Sequence, residues 1–329
     1  MELARQKEPY QGGLIILLLF QTLFFLGHVV AHGIKLDWTL IYSYSDSIDT
    51  AFLFLMYLLC RIGSIGYIIG LGYFGVKSPA KTMALYFLSS FVYTFIAQIM
   101  FGVFDIKELV SGTFVYFHTG PLVIVIVLYP LLSLVNEKVR NKEILTLMLF
   151  SLIYYFVVRL ILKRDDHSVD INVVYFLIGT IVSKYSEKIK PYTGKLTLIL
   201  IAILLFGGFV IPNHFLCYLI NYNNIIYVLI SAGMCLYASQ LFRRGGNLID
   251  ILKAEIGLPY VGIYLLTDSQ VFIKMGCPPL LDIYMSNCLM GLAYSILIVV
   301  VLVIFHRFLS VILSRIYDEI MAKMVLLNS

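Results

Sequence analysis

RIGSIGYIIGLGYFGVK, residues 61–77, decides how the chain is read. It has the apolar character of a lipid-embedded helix, yet it opens on an arginine and carries five glycines. A charged side chain near the centre of a membrane helix costs about 2.5–3.5 kcal/mol on insertion scales. Glycine weakens a helix unless it lets another group come close. Upstream, AFLFLMYLLC (51–60) continues the apolar run. The span therefore covers roughly residues 50–75, and Arg61 sits about halfway along it.

The rest of the chain suits the same surroundings. Of 329 residues, 60% are hydrophobic, against about 45–50% apolar in soluble domains. The mean hydropathy is +0.93, and no long polar stretch interrupts the chain. An all-α integral membrane protein is expected, one domain over 1–329 without a separate soluble part. A span takes about 20 apolar residues. Ten candidates stand out, at roughly 13–33, 50–75, 82–103, 121–136, 144–162, 171–184, 196–212, 223–242, 257–274 and 285–313. The first has full span length and no small-residue cleavage site after it, so it reads as a retained helix rather than a signal peptide. After the last comes 314–329, where Arg315, Asp318, Glu319 and Lys323 on an apolar background predict an amphipathic helix lying on the inner leaflet.

Basic residues set the orientation. With the N-terminus inside, seventeen of the 24 Lys and Arg residues fall in inner segments, among them Lys77, Lys81, Arg243, Arg244, Arg307 and Arg315. Five fall in outer loops: Lys35, Lys107, Lys163, Arg164 and Lys274. Ten spans follow, in the cell membrane, with both termini cytoplasmic. The formal net charge of +5 then reports topology and not an affinity for nucleic acid. Five cysteines form no CxxC pair and read as small hydrophobes.

Polar groups inside spans are the functional candidates. His28 and His32 lie four apart near the outer end of the first span, on one helix face. They are half of a metal site, or bundle and headgroup contacts, or the source of a general base. An HExxH pattern and a nearby carboxylate are both missing, so no metal is expected. Arg61 has hardly any acid within the spans to pair with, Asp268 being the nearest candidate. Either an anionic ligand meets it or a structural partner does. His118, just before Gly120 and Pro121 at the mouth of the fourth span, is a second candidate base or an ordinary loop residue. Gln21 and Gln98 are single amides in apolar runs, suited to hydrogen bonds between helices.

With these residues in view, RIGSIGYIIGLGYFG resembles the second-span motif of the acyltransferase family 3 membrane proteins, an arginine followed by an apolar run that ends in Ser-Gly-Tyr-Phe. Arg61 matches the arginine, and Gly72, Tyr73 and Phe74 match the end. Leu71 stands where the serine would be, and Ile65 where the family has a proline. FVYFHTGPLVIVIVLYPLL (114–132) resembles the family's His-Leu-Trp-Tyr-Leu segment through His118 and Leu122, with Gly120 in place of the tryptophan. IGLPYVGIYLLTDSQVF (256–272) resembles the Gly-Ile-Tyr-Leu-(Leu/Ile)-His segment of the penultimate span through Gly262, Ile263, Tyr264, Leu265 and Leu266, with Thr267 for the histidine. DINVVYFLIGTIVSK (170–184) is similar to the sixth span. His28 falls at the place of the family's first-span histidine, and Leu17 stands eleven residues before it, where the family has a basic residue.

The resemblance implies a membrane O-acyltransferase that moves an acyl group, usually acetyl from acetyl-CoA, onto a hydroxyl of a cell-envelope glycan or lipid-linked sugar. It implies that His28 takes the acceptor's proton and that Arg61 holds a phosphate or steadies a developing oxyanion. His118, Gly72, Tyr73, Tyr264 and Asp268 would contact substrate. The glycines from Gly63 to Gly75 would admit a flexible pantetheine chain beside the helix backbone. Lys77, Arg243 and Arg244 would meet the CoA phosphates, or serve only as positive-inside charge. The replaced positions 17, 120 and 267 keep an alternative open. The chain is then a non-catalytic acyltransferase-like protein that binds or carries a lipid-linked glycan, or acts as a partner in glycan assembly.

Overall fold

The computed structural model describes residues 11–33, 48–75, 79–102, 104–107, 109, 169–210, 225–241 and 276–327. Among the described residues the regular structure is helical and there is no strand. The helices are α1 (Gln11–Gly33), α2 (Ile48–Phe74), α3 (Pro79–Met100), α4 (Val169–Lys184), α5 (Ser186–Val210), α6 (Ile225–Leu241), α7 (Cys277–Ser286) and α8 (Cys288–Leu327). Seven of the ten expected spans coincide with described helices. The segments 121–136, 144–162 and 257–274 lie outside the described residues. Among the described residues, two helices are long and apolar enough to cross a membrane, over Leu55–Phe74 and over Cys288–Met324. Shorter apolar helical runs cover Phe87–Met100, Asn172–Lys184, Thr193–Gly207 and Ile225–Tyr237.

Helix ends follow from local chemistry. Gly75 ends α2 at φ 81°, in the left-handed region open to glycine, and its N–H donates to the Leu71 carbonyl at 2.9 Å. Pro79 then starts α3, where its missing N–H costs nothing. At the far end of α3, Gly102 (φ 66°) turns the chain back. Gln98 uses that turn: its Nε2 donates to the Asp105 carbonyl at 2.9 Å, and its Oε1 accepts from the Asp105 N–H at 3.3 Å. So Gln98 closes the turn after its own helix, where a bond between helices was expected. Asn287, in extended conformation, separates α7 from α8, and its Oδ1 caps the Met290 N–H at 2.9 Å.

The C-terminal segment departs from expectation. Instead of a separate helix on the leaflet from residue 314, α8 runs unbroken through Leu327. After Gly291 the helix contains no glycine or proline to stop it. Its 40 residues make a rod of about 60 Å. Likewise α5 begins at Ser186, ten residues before the apolar run that announced it.

α2 is the central helix, with α1, α4 and α6 packed on it. Glycines set how closely. A Cβ at Gly63 would strike the backbone of Phe24 and Phe20. One at Gly66 would strike the Phe20 ring, and one at Gly70 the Leu17 side chain. Gly27 answers from α1, against Cys60. These pairs keep one antiparallel register along α1 and α2. On another side of α2, Gly72 abuts the Phe176 carbonyl and Gly179 abuts the Ile69 carbonyl, so α2 and α4 meet backbone to backbone. Outward faces are apolar: Phe91, Phe95 and Ile99 on α3, Leu198 and Phe206 on α5, and Leu297, Val301, Ile304 and Phe308 on α8 are all exposed. Soluble monomers rarely show contiguous apolar patches beyond a few hundred Å², whereas such faces suit lipid.

Candidate functional site

Arg61 is a buried cation in the central helix α2. The apolar run of α2 places it at the midpoint of a helix on which α1, α4 and α6 pack, and it is 7% exposed. Tyr57 precedes it by one helical turn. The guanidinium carbon lies over the Tyr57 ring, 4.7 Å from its centroid. A desolvated cation–π contact of this kind contributes roughly 2 kcal/mol, which offsets part of the cost of the buried charge. Tyr227, fully buried on α6, lies within the electrostatic reach of both Arg61 and Tyr57. The Ser231 hydroxyl, one turn after Tyr227, donates to the Ile62 carbonyl at 3.4 Å. This bond fixes α6 against α2 one residue beyond Arg61.

Helix geometry separates this cluster from the glycine face. Successive residues turn by about 100°, so Arg61 and Gly63 stand about 200° apart on α2. Gly63, Gly66 and Gly70 face α1. Arg61 therefore leaves α2 on the side away from α1. The α1–α2 register brings residue 61 level with residue 26, and His28 stands two residues further, about 3 Å along the axis. The backbones of His28 and Arg61 thus share a depth. They do not share a face of α2. His28 belongs to α1, but its side chain is outside the described residues.

The other expected site residues divide in two. Gly72 is taken up by the Phe176 backbone, and the Thr180 hydroxyl donates to its carbonyl at 3.3 Å. Tyr73 is half-buried at the end of α2, its ring edge-on to Phe74 at 4.7 Å. The groove expected for a pantetheine chain is filled at Gly63, Gly66, Gly70 and Gly72 by neighbouring helices. Lys77, His118, Arg243, Arg244, Tyr264 and Asp268 lie outside the described residues. Among the described residues, no three His, Cys, Asp or Glu side chains converge as a metal site.

A second buried polar group has no counterpart in the sequence reading. Tyr93 on α3 and His306 on α8 are 0% and 3% exposed. The Tyr93 hydroxyl and His306 Nδ1 are 2.9 Å apart, and the rings stack at 5.7 Å with 22° between planes. Further along, Lys81 pairs with Asp318 at 2.7 Å and lies 5.8 Å from the Tyr317 ring centroid. Both contacts obey one antiparallel register. By that register Arg307, counted among the inner charges, stands level with Val92, at mid-height of α3. Its position inside VVVLVIFHRFL (299–309) is the signal for this polar pair of residues within the span. Comparison with protein-family models, curated proteins and solved structures gives no match for this chain.

Proposed function

We propose that this chain is a multi-pass O-acyltransferase of the cell membrane, with ten spans and both termini cytoplasmic. It moves an acyl group, most simply acetyl, from acyl-CoA to a hydroxyl of a cell-envelope glycan or lipid-linked sugar. The observation that carries the proposal is Arg61, a cation held at the midpoint of the central helix with its guanidinium on a phenol face. A charge kept at that depth, on the side of α2 away from α1, suits a group that meets an anion such as a phosphate of the acyl donor. The sequence likeness supplies the reaction class. The acceptor oxygen attacks the thioester carbonyl, a C–O ester bond forms and the C–S bond breaks. The hydroxyl proton passes to His28 and ends on the CoA thiol.

Membranes containing the full chain, given radiolabelled acetyl-CoA, test the reaction. His28→Ala should abolish label transfer to envelope glycan at unchanged expression. A wild-type rate would move the base to His118 or remove this chemistry. Arg61→Lys keeps the charge and loses the planar fork, so turnover should fall at least tenfold. Arg61→Leu should unfold no earlier than wild type, because removing a buried charge is often neutral or stabilising, but it should lose any thermal shift caused by CoA. Cysteine at Asp46 should react with an impermeant reagent from outside, and cysteine at Asn141 only after permeabilisation. The reverse pattern overturns the ten-span topology.

One observation favours a second reading, a non-catalytic carrier or binder of a lipid-linked glycan. The glycine face that would admit a pantetheine chain is filled by Phe20, Leu17 and Phe176. A saturable thermal shift with a lipid-linked glycan, without any acyl transfer, would establish that role.

A further inference from the structure

Arg61 and residue 28 stand at one depth but on different sides of α2, and the glycine face between α1 and α2 is filled. A route from one to the other has to pass round α2. Successive residues turn by about 100°. Counted from Gly63, Ile62 stands about 100° round the helix in one sense. In the other sense Tyr67 stands at about 40°, Ser64 at about 100° and Arg61 at about 160°. The first way is closed by α6, whose Ser231 hydroxyl donates to the Ile62 carbonyl at 3.4 Å. On the second, Ser64 and Tyr67 are only half-buried although they lie well inside the helix. Tyr67 packs against Leu17. This flank therefore faces the side of α1 that carries Leu17 and, one turn on, Gln21.

Gln21 is 3% exposed. A hydrogen bond between helices was expected of it. Among the described residues neither its Nε2 nor its Oε1 has a hydrogen-bond partner, and the Tyr67 hydroxyl comes near without reaching that geometry. A buried donor and acceptor left unpaired weaken a fold, and they suit a group that supplies both complements. Residue 28 lies seven residues further out on α1, about 10 Å along the axis and within about 20° of Gln21. One face of α1 thus carries both the unpaired amide and the position of the proposed base.

We infer that Gln21 binds the amide-bearing arm of the acyl donor where that arm rounds the Tyr67 flank. Its Nε2 donates to a carbonyl of the arm, and its Oε1 accepts from an arm N–H. The pantetheine arm of an acyl-CoA is uncharged and carries two amides, which matches a side chain that both donates and accepts. An ionised phosphate would offer Oε1 no proton. The inference rests on the reading that the chain takes an acyl-CoA. It moves the arm from the filled glycine face to the flank beside it.

The test uses the full chain in phosphatidylcholine nanodiscs, with thermal shift as the readout. Three soluble probes separate the parts of the donor. Pantetheine carries the arm alone, adenosine 3′,5′-bisphosphate the phosphates alone, and CoA both. Gln21→Met keeps the length of the side chain and removes its amide. It should weaken binding of pantetheine and CoA about tenfold, the scale of two lost hydrogen bonds, and leave the response to the bisphosphate unchanged. Without ligand it should melt no earlier than wild type, because no hydrogen bond within the chain is lost. Unchanged pantetheine affinity in Gln21→Met overturns the inference and leaves the amide to a bound water. An equal loss for all three probes overturns it too, since the change then acts on the fold. A wild-type chain that responds to CoA and the bisphosphate but not to pantetheine overturns the inference and leaves the acyl-CoA reading standing. No response to any probe overturns both. Should Gln21→Met fail to fold, Gln21→Asn decides, since it keeps an amide and draws it back by one methylene. A tenfold loss for pantetheine alone among the two part-probes supports the role, and unchanged affinity overturns it.

Discussion

Two helix pairs in this molecule solve one problem in opposite ways. α2 and α4 approach until backbone meets backbone, because Gly72 and Gly179 have no side chain to hold them apart. α3 and α8 are joined instead by long side chains, Tyr93 to His306 and Lys81 to Asp318. In lipid an apolar side chain gains little by leaving acyl chains for a neighbouring helix. Helices are then held by close van der Waals contact or by polar groups that meet. The core of this chain uses the first device, and its outer, apolar-faced pair uses the second.

Thermal unfolding of variants in detergent would break or sharpen that contrast. The largest loss is expected for Gly72→Ala or Gly179→Ala. A methyl there drives into carbonyl and amide atoms that cannot swing aside, and overpacking of this kind costs about 1–3 kcal/mol or more. A wild-type melting curve for either variant would mean that the two backbones do not touch. Next comes Tyr93→Phe, which leaves His306 buried without the phenol; about 1 kcal/mol should be lost. If the pair acts as a unit, combining it with His306→Leu should cost no more than the worse single change. Lys81→Met is expected to matter less, by under about 1 kcal/mol, since Asp318 is 60% exposed. That difference should vanish in molar salt. Gly194→Ala marks the lower end. The added methyl would stand 3.2 Å from the ring of Tyr237, itself 45% exposed and able to yield. The gain in helix propensity should leave the melting temperature level or slightly raised. A drop as large as that of Gly72→Ala would show that the α5–α6 contact is as rigid as the α2–α4 contact.

The positions of the described helices were legible because each carries a long apolar run in the sequence. α1, α2 and α6 begin and end within about two residues of the apolar runs that predicted them. Polarity hid the start of α5, where SEKIKPYTGK reads as a loop and is helical. It also hid the continuity of α8, since the charges after Ile312 look like a change of environment while the backbone goes on unchanged. Half of the Arg61 cluster could be read from spacing, because Tyr57 stands one turn away on the same helix. Tyr227 could not, since only the docking of α6 brings it near. His306 and Tyr93 failed for the same reason, being 213 residues apart in the chain. The five glycines did announce close approach. What they could not say is whether a ligand or another helix would do the approaching, because a missing Cβ admits either.

That choice of neighbour bears on how the protein can recover from mutation. At Gly66 the obstacle is the Phe20 ring, so damage from a methyl at 66 has a genetic remedy: a smaller side chain at 20 restores the room. At Gly72 and Gly179 the obstacle is main chain on both sides. No codon encodes a residue with less than a glycine's bulk, and peptide groups cannot be trimmed. A screen for second-site suppressors should therefore recover revertants of Gly66→Ala at position 20, and for Gly72→Ala return only glycine at 72 itself.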